Sequence, residues 1–221
     1  MAAAISIERA IGEARSPGVA EFLRRPKNLL IGGKWMPAKS GKTFATINPA
    51  NEETLAEVPE GGKADVDEAV KAARKAFDHG PWPRMKPFER ASYLNKWADL
   101  IEKNAELLAE LDTLDLGLMI ASTRQFGYGA AASVRGAASW IDKIFGETAP
   151  SGEDLFNFTL REPLGVAGII IPWNAPAVLA TAKPAIAMAC GNTVVLKPAE
   201  QTPLAALRIA ELALEAGLPA A

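Results

Sequence analysis

Residues 164–200 read LGVAGIIIPWNAPAVLATAKPAIAMACGNTVVLKPAE, and this stretch constrains the fold more than any other. Residues 165–171 are a short apolar run ending at Pro172, the pattern of a strand buried on both faces. Pro176 suits the first turn of a helix, where a missing N–H costs nothing. Residues 177–190 are rich in Ala, Leu, Ile and Met, with Pro184 as the one strong breaker, and Gly191-Asn192 supply a helix end. Residues 193–196 form a second β-branched run. Pro203 then opens a helix that runs from Leu204 to Ala216 and stops at Gly217. The order strand, helix, strand, helix predicts a βαβ unit with a parallel strand pair, and so an α/β class.

Polar residues sit where each strand ends. Trp173 and Asn174 follow the first strand, and Lys197 and Glu200 follow the second. Open α/β sheets bind ligands outside the carboxyl ends of their strands, so these residues are expected to converge on a ligand edge. Each also has a plainer reading: Asn174 as a helix cap, Lys197 as a solvated loop charge, Glu200 as a cap for the helix after Pro203.

With 221 residues, the chain is long enough for one large domain or one and a half. A net charge of −2 gives no electrostatic case for nucleic acid. No run approaches the roughly 18 apolar residues of a membrane span, and residues 1–11 lack the basic start of a signal peptide. Cys190 is the only cysteine, which rules out an intrachain disulfide and fits a reducing cytoplasm. Set among Ala187, Met188 and Ala189, it reads as a buried, inert packing residue. His79 is the sole histidine and reads as a helix-end residue, so no His-pair metal site is expected. Gly127-Tyr128-Gly129-Ala130-Ala131-Ala132 matches G-x-G-x-x-A, but no strand precedes it and the dinucleotide fingerprint fails its context. Gly41-Lys42-Thr43 ends like a P-loop, yet Met36 stands where its first glycine belongs.

Upstream, a loose helical arm is expected within residues 5–23. Residues 28–36 and 42–47 read as two strands around a turn at Lys39-Ser40-Gly41, with a third strand at 53–58. Residues 65–77 read as a helix whose apolar face carries Val66, Val70, Ala73 and Phe77. One long helix is expected over 88–114, with Leu94, Trp97, Ile101, Leu108 and Leu111 on one side, and another over 120–145. In the segment 146–163, Phe156, Phe158 and Leu160 share one face and call for cover.

The segments Pro172-Trp173-Asn174 and Gly191-Asn192-Thr193-Val194-Val195-Leu196-Lys197-Pro198-Ala199-Glu200-Gln201-Thr202-Pro203 resemble the aldehyde dehydrogenase superfamily. The 23-residue spacing from Asn174 to Lys197 agrees (197 − 174), as do Arg161-Glu162-Pro163-Leu164-Gly165-Val166, Ile31-Gly32-Gly33-Lys34-Trp35 and Asn48-Pro49-Ala50. The resemblance implies the amino-terminal part of an aldehyde-dehydrogenase-like fold: a Rossmann-like cofactor-binding domain with flanking helices, the catalytic domain absent. It divides the chain into an arm (1–27), strands and helices of the cofactor domain (28–145), an oligomerisation hairpin (146–163) and the start of the cofactor-binding sheet (164–221).

Residue roles follow from the same resemblance. Asn174 matches the amide donor to the oxyanion of a thiohemiacetal. Lys197 and Glu200 match residues that hold the adenosine ribose, and Ile170, Ile171, Pro172, Trp173 and Ala199 match the rest of the cofactor cleft. Ala175, Leu179 and Ala182 match positions that line the aldehyde tunnel, where relatives often carry aromatic rings. The implied reaction is NAD-dependent oxidation of a small-molecule aldehyde to a carboxylic acid, in a homo-oligomer (dimer or tetramer) when full-length. NADP is the alternative cofactor, disfavoured because Glu200 would face its 2′-phosphate. The family's nucleophilic cysteine and general-base glutamate lie further along than residue 221, so these residues alone are expected not to turn over substrate. The contrasting reading is a non-catalytic binding or interaction module that keeps a partial dinucleotide cleft.

Overall fold

The computed structural model describes residues 16–220. Of the amino-terminal arm only α1 (Pro17–Arg24) falls among them, and residues 1–15 lie outside the description. Two antiparallel hairpins follow: β1 (Leu29–Ile31) with β2 (Lys34–Met36), and β3 (Thr43–Ile47) with β4 (Thr54–Pro59). Residues 28–36 are therefore a hairpin of their own, rather than one strand paired across the turn at Gly41. Gly32 and Gly33 both hold positive φ, 57° and 74°, which is the tight reversal that a two-residue hairpin needs.

Helix α2 (Lys63–His79) ends at His79 as the sequence implies, but its apolar face is only partly covered. Ala73 is buried, whereas Val66 and Val70 stand exposed. The long helix expected over 88–114 is two helices, α3 (Pro87–Lys103) and α4 (Ala105–Leu116). Asn104 makes the break. Its Nδ2 donates to the Leu100 carbonyl at 2.8 Å, while its backbone N–H donates to Leu100 and Ile101. A side-chain amide competing for helix carbonyls in this way ends the helix locally. The five apolar residues expected on one side are nevertheless all buried across both helices.

Helix α5 (Ile120–Trp140) crosses the α3–α4 pair. The G-x-G-x-x-A match lies inside it, and its first glycine is there for packing. A Cβ on Gly127 would sit 2.7 Å from the Ala105 Cα. Gly127→Ala is therefore expected to destabilise the chain by about 1–3 kcal/mol through overpacking. A urea denaturation midpoint equal to that of the parent would contradict this.

The short strands β5 (Thr148–Ala149) and β6 (Asn157–Phe158) form a third hairpin, with Leu155, Phe156, Phe158 and Leu160 all exposed on it. The chain then enters β7 (Val166–Ile170), α6 (Pro176–Ala189), β8 (Thr193–Lys197) and α7 (Leu204–Glu215). The two strands pair in parallel, from Val166↔Thr193 to Ile170↔Lys197. This is the βαβα order read from the sequence. However, β7 is not buried on both faces: Gly168 and Ile170 are open, because no further layer among the described residues covers that side. The main core joins α3, α5, α6 and α7 through Trp97, Ile101, Val134, Ala180 and Ile209. A second core of Phe22, Leu55, Leu111 and Leu204 fastens α1 and β4 to α4 and α7.

Candidate functional site

Parallel register places the ends of β7 and β8 side by side. The Ile171 N–H donates to the Lys197 carbonyl at 3.1 Å, so residues 172–174 and 197–200 leave the sheet at one edge. Thr202 Oγ1 donates to the Trp173 carbonyl at 3.2 Å and ties the two loops together. At this edge Lys197 Nζ lies 3.0 Å from Glu200 Oε2, with both side chains more than half exposed. Glu200 is held below the usual carboxylate range, first by its own backbone N–H and then by Lys197. The pair is thus a solvent-facing couple whose weakly held internal contact leaves it free to exchange for hydroxyl groups of a ligand.

The plainer readings of two residues do not hold. Glu200 is no cap for α7, because the Leu204 N–H donates instead to Asp115 Oδ2 at 3.0 Å. Asn174 is no cap for α6, whose N-cap is Ala175 without any side-chain bond. The Asn174 side chain is exposed, leaving its amide available.

The remaining sequence-derived residues divide by position. Ile170 and Trp173 are exposed, at 74% and 54%, and Pro172 is exposed as well. Ile171 and Ala199 are buried, so they hold the edge from beneath. Ala175 is half-buried in the turn into α6, and Leu179 and Ala182 follow on that helix, one turn apart. Leu179 packs against the main core. Cys190 corrects an expectation: its thiol is exposed, at the C-cap of α6, because the helix ends on the surface there.

A cleft of about 510 Å³ adjoins the edge, lined by Thr46, Ile47, Trp173, Glu200 and Thr202 among others. Asp115 also lines it and was missed by sequence reasoning. Together with Asp112 it lies on α4, where both are buried. Burial pushes the Asp115 carboxyl up to about 7, against the opposing hydrogen bonds from Thr46 and Leu204. The available signal was two aspartates three apart among Leu108, Leu111 and Leu114, on an otherwise buried helix. Among the described residues no group of three or more His, Cys, Asp or Glu side chains is placed to hold a metal ion, and no helix is long and apolar enough to cross a membrane.

One side of β7 is uncovered beside this edge. A Cβ built on Gly168 would meet nothing within 4 Å, and Ile170 offers an apolar face beside the Lys197–Glu200 couple.

The sequence model of the aldehyde dehydrogenase family matches residues 35–221. The chain belongs to the aldehyde dehydrogenase family. It is 53% identical over 193 residues to aldehyde dehydrogenase family 2 member C4 of Arabidopsis thaliana, covering 86% of this chain and 38% of that protein. Against aldehyde dehydrogenase 1A1 of Gallus gallus the identity is 50%, with the same coverage of 86% and 38%. An aldehyde dehydrogenase from Bacillus cereus, solved as its NAD+ complex, superposes with a TM-score of 0.91 at 46% identity. That match covers 94% of this chain and 42% of the Bacillus chain. The chain thus spans about two fifths of the length of these relatives. As an aldehyde dehydrogenase chain, it carries the α/β architecture expected for the amino-terminal part of the family.

Proposed function

We propose that these residues form the adenosine-binding edge and the oxyanion donor of an NAD-dependent aldehyde dehydrogenase. The observation that carries this reading is the meeting of the Lys197–Glu200 couple and an uncommitted Asn174 amide at one strand edge, in a chain of this family. Bound NAD would supply the two-electron acceptor for oxidation of an aldehyde to a carboxylic acid. Lys197 and Glu200 would hold its ribose hydroxyls, while Ile170, Pro172 and Trp173 wall the slot and Ile171 and Ala199 support it from below. An ionised Glu200 favours NAD, since a 2′-phosphate would meet like charge. Asn174 would donate its side-chain N–H to the oxyanion formed when a thiolate adds to the aldehyde carbonyl. No residue described here is assigned as that thiolate or as the deacylating base.

In an aldehyde dehydrogenase containing this chain, Lys197→Ala and Glu200→Ala are each expected to weaken NAD binding by about 1–3 kcal/mol, the value of hydrogen bonds to a charged group. Aldehyde binding changes less. Isothermal titration with unchanged NAD affinity in both variants would sink the ribose assignment.

Ala175, Leu179 and Ala182 point to the aldehyde. With methyl groups at two of these three positions, the proposed tunnel is wide and favours bulky or aryl aldehydes over acetaldehyde. Each further methylene adds up to about 0.8 kcal/mol of binding while it fits. The check is kcat/KM across a series of aldehydes. A preference for acetaldehyde that Ala175→Phe leaves unaltered would contradict it.

The exposed Leu155, Phe156 and Leu160 on the β5–β6 hairpin support a second copy of the enzyme as the partner that covers them.

A further inference from the structure

The two loops of the site meet at the hydroxyl of Thr202. This residue is 2% exposed, although Glu200 and Gln201 just before it are open. A threonine immediately ahead of a helix ordinarily spends its hydroxyl on that helix. Here α7 starts from Pro203 with no side-chain hydrogen bond, and Thr202 Oγ1 donates across to the Trp173 carbonyl at 3.2 Å. Beyond the last sheet contact, at Ile171 and Lys197, it is the one hydrogen bond among the described residues that joins 172–175 to 198–203.

The two loops depend on that bond unequally. The Glu200 turn closes on itself, because the Thr202 N–H donates to the Ala199 carbonyl at 3.3 Å with Glu200 and Gln201 between them. The Asn174 turn has little of its own. It lies between Pro172 and Pro176, neither of which has an N–H to give. The N–H groups of Trp173, Asn174 and Ala175 donate to nothing among the described residues. Trp173 and Asn174 are exposed, so packing adds little. The Trp173 carbonyl and the Asn174 N–H belong to one planar peptide unit. A bond to that carbonyl therefore fixes the plane from which the Asn174 side chain departs.

We propose that Thr202 is a positioning residue whose hydroxyl holds the Trp173–Asn174 peptide plane and so the direction of the Asn174 amide. It acts from the turn that carries Glu200, and thus sets the oxyanion donor by reference to the ribose couple. The tie stands on the contact alone, whereas its kinetic consequence rests on the function proposed above.

Two readouts separate these parts. In the 221-residue chain, the order of the Asn174 backbone amide is followed by its heteronuclear NOE. Thr202→Val removes the hydroxyl at nearly constant shape and is expected to lower the NOE at Asn174 while leaving Val195 in β8 unchanged. Thr202→Ser keeps the hydroxyl and is expected to keep the parent value at both. Thr202→Ala, which forces no methyl into the place of the hydroxyl, decides the matter if the valine variant does not fold. An unchanged NOE at Asn174 without the hydroxyl, or an equal fall in Thr202→Ser, overturns the proposal.

In an aldehyde dehydrogenase containing this chain, Thr202→Val is expected to lower kcat about fivefold, the scale of one neutral hydrogen bond. The KM for NAD is expected to change little, because the Glu200 turn keeps its own bond, and Thr202→Ser is expected to restore kcat. In an Asn174→Ala background, Thr202→Val is expected to cost nothing more, since its effect passes through Asn174. A second loss of about fivefold in that background, or equal changes in kcat and KM, overturns the positioning role. Should Asn174→Ala itself leave kcat untouched, the proposed function fails, while the NOE result still judges the tie.

Discussion

Replacing Asn174 with alanine is expected to lower kcat by roughly 10²–10³-fold in an aldehyde dehydrogenase that contains this chain, the usual loss for one oxyanion donor. Cofactor affinity is expected to change little, because Asn174 leaves β7 while the ribose couple leaves β8. The physical basis is the uncommitted amide. α6 takes Ala175 as its N-cap and asks nothing of the Asn174 side chain. An asparagine used as a cap would have its amide oxygen spent on backbone N–H groups, and its loss would appear as a drop in stability. Here the loss is expected in the chemical step. The check is single-turnover kinetics with saturating NAD, alongside a melting curve. A near-native chemical rate refutes the role, as does a rate loss matched by an equally large loss of stability.

Stability of the chain is expected to fall as pH rises from about 4.5 to 7. The Asp115 carboxyl is raised from 3.8 to about 7 by burial, and Asp112 is raised well above its ordinary value by the same cause. The folded chain therefore keeps protons that the unfolded chain releases once pH passes about 4, and stability declines until the folded pKa is reached. Asp115 alone contributes on the order of 4 kcal/mol over this window, since holding a proton against release costs about 1.4 kcal/mol for each pH unit. Asp65, Asp78, Asp142 and Glu200 are displaced the opposite way. Their effect lies below about pH 4.5, outside the window. Urea midpoints of the parent chain and of Asp115→Asn, taken at half-unit steps, supply the test. The parent is expected to lose stability across the window, and the variant to lose clearly less. A flat parent profile, or one that rises with pH, would show that burial does not dominate these carboxyls.

The βαβα stretch was legible because each of its elements carries its own signal. Two β-branched runs, one Ala- and Leu-rich segment and the stops at Gly191 and Gly217 give the order, and only parallel pairing suits it. The polar residues at the strand ends followed from the architecture. The hairpins were less legible, since both Gly32-Gly33 and Lys39-Ser40-Gly41 are turn sequences. Gly41 has positive φ as well as Gly32 and Gly33, and what separates them is the pairing, β1 with β2 and β3 with β4. The break at Asn104 was hidden by a continuous apolar stripe, because that stripe passes from α3 to α4 without losing its face. Exposure was the hardest property to read. Val66, Val70 and Ile170 have the composition of core residues and are open here, since burial depends on which layers are present and not on the strand or helix alone. Asp112 and Asp115 were passed over for the opposite reason, although their place among Leu108, Leu111 and Leu114 was a signal. A carboxylate on a helix is ordinarily solvated, and only the tertiary packing of α4 against its neighbours buries these two.

The most direct test of the site is a crystal structure of an aldehyde dehydrogenase containing this chain, with NAD bound. The expected result has the adenosine against Gly168 and Ile170, and its ribose hydroxyls within hydrogen-bonding distance of Lys197 and Glu200. The Asn174 amide would face the reacting carbonyl. A cofactor whose ribose is held by other residues, with Lys197 and Glu200 still paired only to each other, would contradict the assignment.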